Sequence, residues 1–288
     1  TMLPVTGSLP LFQFDDVVVR RGRRRVLDGV NARVPACQVT AVVGPSGSGK
    51  STMLRLCNGL SVPSSGAVLR SGEDLALADR TVLRRQVGMV FQRPVLLPGT
   101  IEDNLRAAVP DAVADDLEQS LLSVGLTEPL NRDAASLSGG EAQRMCLART
   151  LLTDPDVVLF DEPTSALDPA ATSSIETLAR GLVADGKSCL WVTHDLDQMR
   201  AISDHVLFVD GGKVLQQGSF DVICAADHSQ MSRADRRVRI LVGGRVYLGC
   251  ISWTGQPGRA ATTSGGVTVG AWTDLPGEFL DRTPPVLV

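Results

Sequence analysis

The run Gly44-Pro45-Ser46-Gly47-Ser48-Gly49-Lys50-Ser51 fits the spacing G-x-x-x-x-G-K-[ST] and directly follows the apolar, β-branched segment Val39-Thr40-Ala41-Val42-Val43. Few architectures accommodate such a sequence. It calls for a buried strand, a glycine-rich turn whose successive N–H groups point inward, and a helix beginning near Lys50 with its positive dipole end toward the turn. The glycines open backbone conformations closed to other residues. An inward-facing array of N–H groups at a helix start is a phosphate cradle. Lys50 is then placed to bridge the β- and γ-phosphates of a nucleotide, and Ser51 to put a hydroxyl on Mg²⁺. Thr52 is grouped with the loop as a nucleotide-binding residue.

The rest of the chain supports an α/β fold around that loop. Apolar runs recur at residues 39–43, 87–91, 157–160, 189–193 and 206–209, most of them separated by helix-like segments. This is the pattern of a P-loop NTPase core with a mainly parallel sheet and helices on both faces. Residues 11–20 and 26–34 predict an antiparallel β addition at the N-terminus, and residues 66–71 a further strand. The Arg-dense stretch between the first two, Arg20-Arg21-Gly22-Arg23-Arg24-Arg25, reads as a solvated hairpin turn. Contact with phosphates or an acidic partner is the alternative, and no function is assigned to it. Strand signals stop between residues 92 and 137, where Val113, Leu117, Leu121 and Val124 recur at helical spacing. This predicts a helical insertion over about residues 93–150, with Leu96-Leu97-Pro98-Gly99 read equally as an exposed docking patch or as a loop anchored in the core.

Residues 1–222 are expected to form the nucleotide-binding domain, and 223–288 a C-terminal tail or small accessory β segment of unassigned role. Residues 240–253 are suited to a β-hairpin. The six cysteines, Cys37, Cys57, Cys146, Cys189, Cys224 and Cys250, are dispersed without CxxC spacing and read as reduced core thiols in a cytosolic protein. A net charge of −4 gives no global pull toward nucleic acid. No apolar stretch approaches the roughly 18–20 residues of a spanning helix, and the N-terminus lacks the basic and apolar regions of a signal peptide. A membrane role is therefore expected to run through a partner.

Two further elements carry chemistry. Val157-Val158-Leu159-Phe160-Asp161-Glu162 is a buried strand ending in two carboxylates, delivered to the sheet edge where α/β proteins bind ligands. Asp161 is suited to holding Mg²⁺, and Glu162 to accepting a proton from water attacking a γ-phosphate. In Leu137-Ser138-Gly139-Gly140-Glu141-Ala142-Gln143, Ser138 is an N-cap and Glu141 completes a capping box. Gly139 and Gly140 leave backbone N–H groups accessible to an anion.

In this order and spacing the elements resemble the ATP-binding cassette family, specifically the nucleotide-binding subunit of an ABC transporter, over residues 11–218. Gly44 to Ser51 matches the Walker A motif and Val157 to Glu162 the Walker B. Leu137 to Gln143 matches the signature, with Glu141 at its fifth position. Gln92 matches the Q-loop glutamine, Ser165-Ala166-Leu167-Asp168 the D-loop, and His194 the switch histidine. The resemblance implies ATP and Mg²⁺ as ligands, with Ser51, Gln92 and Asp161 around the metal and Glu162, His194 and Gln92 in catalysis. It also implies a head-to-tail dimer in which Ser138, Gly139, Gly140 and Glu141 of one subunit close over ATP held by the other. The implied partners are integral membrane permease subunits, a second ATPase subunit and a solute-binding protein, with no nucleic acid, at the cytoplasmic face of the plasma membrane. Import of a small solute such as phosphate, another ion or an amino acid is favoured. An exporter subunit, or a soluble cassette ATPase acting on DNA or ribosomes, is the alternative, and residues 219–288 are a candidate regulatory segment.

Two places depart from the family pattern. Before the Walker A strand, Cys37-Gln38 stands where Gly-Glu is usual, read as a change of turn without chemical consequence. The aromatic that stacks on adenine is replaced by Arg21, leaving an arginine plane, Phe12 or Phe14 as substitutes.

Overall fold

The computed structural model describes residues 9–165, 167–219, 235–242, 245–252 and 273–275. Near-continuous apolar runs make strands that are buried on both faces, and three of them have every residue buried: β3 (Val39–Val43), β7 (Val157–Asp161) and β8 (Ser188–Val192). The alternating segments before them form β1 (Phe12–Arg21) and β2 (Arg24–Val34), antiparallel around Gly22 and Arg23. In chain order the other elements begin with α1 (Lys50–Cys57), β4 (Ser65–Arg70), β5 (Glu73–Asp74), α2 (Arg80–Gln86) and β6 (Val87–Val90). They continue with α3 (Ile101–Arg106), α4 (Ala114–Ser123), a 3₁₀ turn at Ala134–Ser136 and α5 (Gly139–Leu151). Last come α6 (Pro169–Ala184), α7 (Leu196–Ile202), β9 (His205–Asp210) and β10 (Lys213–Gly218).

The six-stranded sheet runs β10-β9-β3-β8-β7-β6, parallel except for β10. A separate antiparallel sheet runs β2-β1-β4-β5. One apolar cluster joins the antiparallel sheet, α1 and one face of the parallel sheet. It includes Phe12, Phe14, Leu27, Val42, Leu54 and Leu159. A second packs α3, α4, α5 and α6 on the other face, where Phe160 and Trp191 lie with ring centroids 4.7 Å apart. The parallel strands therefore end together at one edge, with both faces covered.

Three expectations change. Phe12 and Phe14 have 0% and 1% of their surface exposed, because they are core-facing residues of β1, so neither is accessible to a nucleotide base. Val113 is the N-cap of α4 and is 61% exposed, so only Leu117, Leu121 and Val124 of the expected stripe are buried. Of the cysteines, Cys57, Cys146 and Cys189 are buried, but Cys37 is exposed in a turn. Cys224 and the Cys250 side chain lie outside the described residues.

Leu96 packs against the second cluster, and Leu97 is 41% exposed, so that loop is anchored and partly open at once. Beyond residue 219, β11 (Asp235–Val242), β12 (Arg245–Ser252) and β13 (Thr273–Leu275) form a three-stranded antiparallel sheet of their own. Among the described residues no helix is long and apolar enough to cross a membrane.

Candidate functional site

The strand-to-helix junction after β3 forms the turn that its glycines predict. Gly44, Gly47 and Gly49 all have positive φ, at 142°, 76° and 112°. At Gly44 the requirement is also steric, since a Cβ there would overlap the carbonyl oxygen of Val209 on β9. The loop is braced from outside, Gly212 donating its N–H to Ser48 O at 3.1 Å while Asp28 donates to Gly212 O at 2.8 Å. Gly49 is the N-cap of α1 and supplies no side-chain cap. The first turn of α1 thus has no side-chain cap among the described residues, which leaves its N–H groups suited to an anion.

Lys50, 6% exposed, donates from Nζ to Gly44 O at 2.9 Å and Pro45 O at 2.8 Å. Burial pushes its pKa below the usual lysine range, and the nearby Glu162 and Asp161 carboxylates oppose that shift. Ser51 Oγ donates to Asp161 Oδ1 at 2.7 Å, bringing α1 and the end of β7 together. Asp161 is 4% exposed, and burial raises its pKa above the normal carboxylate range, with the Ser51 hydrogen bond acting the other way. The Ser48 hydroxyl, also buried, has no hydrogen-bond partner among the described residues.

Glu162 follows β7 in a left-handed conformation, φ 49°, and donates its N–H to Val192 O of β8 at 3.2 Å. A non-glycine residue held there is strained, and such strain concentrates at functional sites. The twist points Glu162 at two groups from neighbouring strand ends. Gln92 Nε2, two residues past β6, donates to Glu162 Oε2 at 3.0 Å. His194 Nδ1, two residues past β8, stands 3.6 Å from the same oxygen. His194 is 59% exposed at its side chain and Glu162 21%, so the cluster opens to solvent.

Ser138 and Glu141 form the expected capping box at the start of α5. Ser138 Oγ accepts from Glu141 N at 3.3 Å, and Glu141 Oε2 accepts from Ser138 N at 2.8 Å. That bond, helped by Arg132, holds the Glu141 carboxyl below its usual range. Gly139 and Gly140 follow as the first residues of the helix. This group's hydrogen bonds and ion pair run among its own members and Arg132, and none goes to the loop after β3. Asp168 caps α6 by accepting from Ala171 N at 2.9 Å.

The family model described as ABC transporter matches residues 27–165, and thus includes the phosphate loop, Gln92, Ser138 to Glu141, Asp161 and Glu162. A probable anion import ATP-binding protein of Haloferax volcanii is 38% identical over 247 residues, covering 78% of this chain and 84% of its own. The chain belongs to the ABC transporter family.

Protein STAR1 of rice, Oryza sativa subsp. japonica, is 43% identical over 208 residues, 69% of this ABC chain, which spans only 60% of STAR1. Among solved structures, a bacterial Atm1-family ABC exporter with ATP bound matches with a TM-score of 0.69 and 33% identity, over 76% of this chain and 40% of that one. The ABC chain also contains supporting contacts that motif matching passes over. Gln143, two residues beyond Glu141 and 3% exposed, donates to Phe91 O at 3.0 Å and ties α5 to the segment carrying Gln92. Gln198 of α7 accepts from Trp191 Nε1 at 2.9 Å and donates to Thr164 and Glu176, linking the helix after His194 to the turn after Glu162. The available signal was a glutamine on the buried side of a helix, which calls for partners without naming them.

Proposed function

We propose that the chain binds MgATP and hydrolyses it to power a separate membrane permease. The observation carrying this reading is the convergence of Lys50, Ser51, Asp161, Glu162, Gln92 and His194 from four strand ends, with Ser51 on Asp161 and Gln92 on Glu162. The donor set fits the ligands. Ser51 Oγ, the Asp161 carboxylate and Gln92 Oε1 are hard oxygen donors suited to Mg²⁺. A buried carboxylate with a raised pKa gains from a cation beside it, and a buried ammonium with a lowered pKa gains from a phosphate. When bound, Mg²⁺ neutralises charge on the phosphate oxygens.

The chain's own residues supply positioning and charge. Lys50 and the first-turn N–H groups of α1 hold the phosphates. Glu162 accepts the proton of a water whose oxygen bonds to Pγ as the bond from Pγ to the β–γ bridging oxygen breaks. Gln92 and His194 fix the Glu162 carboxylate and the water's approach.

The signature group, Ser138 to Glu141, presents helix-start N–H groups and, among the described residues, makes no hydrogen bond or ion pair with this chain's own phosphate loop. It therefore serves the loop of a second subunit, so that two chains enclose the nucleotide head to tail. Import of a small solute, an anion among them, is favoured by the Haloferax volcanii relative, and the exporter neighbour keeps the opposite direction as the second reading. The permease, and a solute-binding protein in the import case, are the partners.

Replacing Glu162 by Gln tests the reading. Phosphate release should fall about 10²- to 10⁴-fold, the range of a lost general base, while ATP is still bound. Wild-type turnover in that variant would overturn the assignment.

A further inference from the structure

Arg20, Arg21, Arg23, Arg24 and Arg25 surround the β1–β2 turn, and all five are exposed. The fold gives one of them a specific place. The start of β2 lies against the phosphate loop so closely that a Cβ on Gly49 would meet Leu27 Cδ2 at 2.5 Å and Val26 O at 3.0 Å. From that approach Arg24 reaches the loop itself, its Nη2 lying 4.0 Å from where a Cβ on Gly47 would stand. Arg25 is engaged by Asp28 at 2.5 Å, whereas Arg24 makes no ion pair or side-chain hydrogen bond among the described residues. A guanidinium held beside inward-facing N–H groups, with no carboxylate to neutralise it, is built to meet an anion.

The aromatic side chains sharpen the point. Phe12, Phe14, Phe160, Trp191 and Phe208 are buried, and Phe91 is half-buried beyond β6. The β1–β2 turn contains no aromatic residue. Among the described residues, the groups that the β1–β2 turn brings to this rim of the loop are charged.

We infer that Arg24 is a nucleotide-binding residue that contacts the polyphosphate by charge from the rim of the Gly44–Ser51 loop. The inference rests on the MgATP-binding reading above and adds a contact from the Arg-rich turn. Because Arg24 is exposed, its contribution is partly screened by salt. Removing it should weaken binding about 3- to 10-fold at low ionic strength, and less at high.

The test is calorimetric titration of the full chain with MgATP at two ionic strengths, for wild type, R24A and R24K. The inference expects the R24A loss to shrink as salt rises, and R24K to bind within about twofold of wild type, since lysine keeps the charge but not the guanidinium plane. It is overturned if R24A binds as wild type does, or if R24K is as weak as R24A at both ionic strengths, the signature of stacking on the base. Wild type failing to bind MgATP would remove the underlying reading as well. Wild-type binding with R24A unchanged removes this inference alone. Unchanged melting temperatures in both variants are expected for an exposed turn residue and exclude misfolding as the cause.

Discussion

Replacing Lys50 by Met separates what the lysine does for the fold from what it does for the ligand. The stem stays, so packing around the 6%-exposed side chain is largely preserved, and only the ammonium is deleted. Its bonds to Gly44 O and Pro45 O, at 2.9 and 2.8 Å, are lost. The cost of burying a charge is removed at the same time, and that burial is the leading cause of the lowered pKa. The two effects oppose each other, so folding stability should change by no more than about 1 kcal/mol, a shift of roughly 2–4 °C in Tm for a domain of this size. Nucleotide binding has no such offset. A charge-assisted contact to phosphate contributes about 1.5–3 kcal/mol, so Kd for MgATP should rise about 10- to 150-fold. Differential scanning calorimetry and isothermal titration on the same preparation read both quantities. Unchanged ATP affinity would refute the loop's role. A large drop in Tm with affinity intact would make Lys50 a structural residue only.

Gly44→Ala should abolish nucleotide binding and lower stability, because the new Cβ collides with a backbone carbonyl on β9 and the φ of 142° disfavours any L side chain. A soluble, ATP-binding Gly44→Ala protein would contradict the loop geometry. Asp161→Asn makes a signed pH prediction. Burial holds the folded-state pKa of Asp161 above the ordinary carboxylate value, so the stability tied to its protonated form is complete below that ordinary value and disappears as pH rises through the folded one. The difference between Asn and wild type should thus be near zero below about pH 4, then shift in favour of Asn and level off, as measured by denaturant melts without nucleotide. A difference independent of pH would remove burial of the charge as the cause. Chelating Mg²⁺ should stop phosphate release by wild type, and release that persists would exclude the oxygen donor set as a metal site.

Much of this site was legible because its signals are local. A buried run, three glycines and Lys-Ser specify the turn from eight neighbouring positions, and the strand 39–43 is found where its composition places it. The strand expected at 87–91 ends one residue early, at Val90, where Phe91 gives its carbonyl to Gln143 instead of to the sheet. What was not legible depends on contacts distant in sequence. Nothing near Glu162 announces its left-handed backbone, which is accompanied by a hydrogen bond from its N–H to Val192 O on the neighbouring parallel strand β8. Phe12 and Phe14 read as substitutes for a stacking ring until the register of β1 turned both inward. Asn104, 0% exposed, holds Leu97 through both its N–H and C=O and receives Arg149 from α5. That brace decides how the loop at 96–99 is held, and no spacing within the loop encodes it.

In the proposed function the phosphate loop is half of a site completed by a second copy's Ser138 to Glu141. Sedimentation velocity of the Glu162→Gln chain, alone and doubled with Gly139→Asp, tests it most directly. A Cβ at Gly139 meets nothing within 4 Å, so the aspartate fits the isolated chain while placing a negative charge where the other subunit's phosphates would arrive. MgATP should convert Glu162→Gln from monomer to dimer, and the doubled variant should bind MgATP but stay monomeric. A Glu162→Gln chain that remains monomeric when saturated with MgATP, or a doubled variant that dimerises equally well, would contradict it.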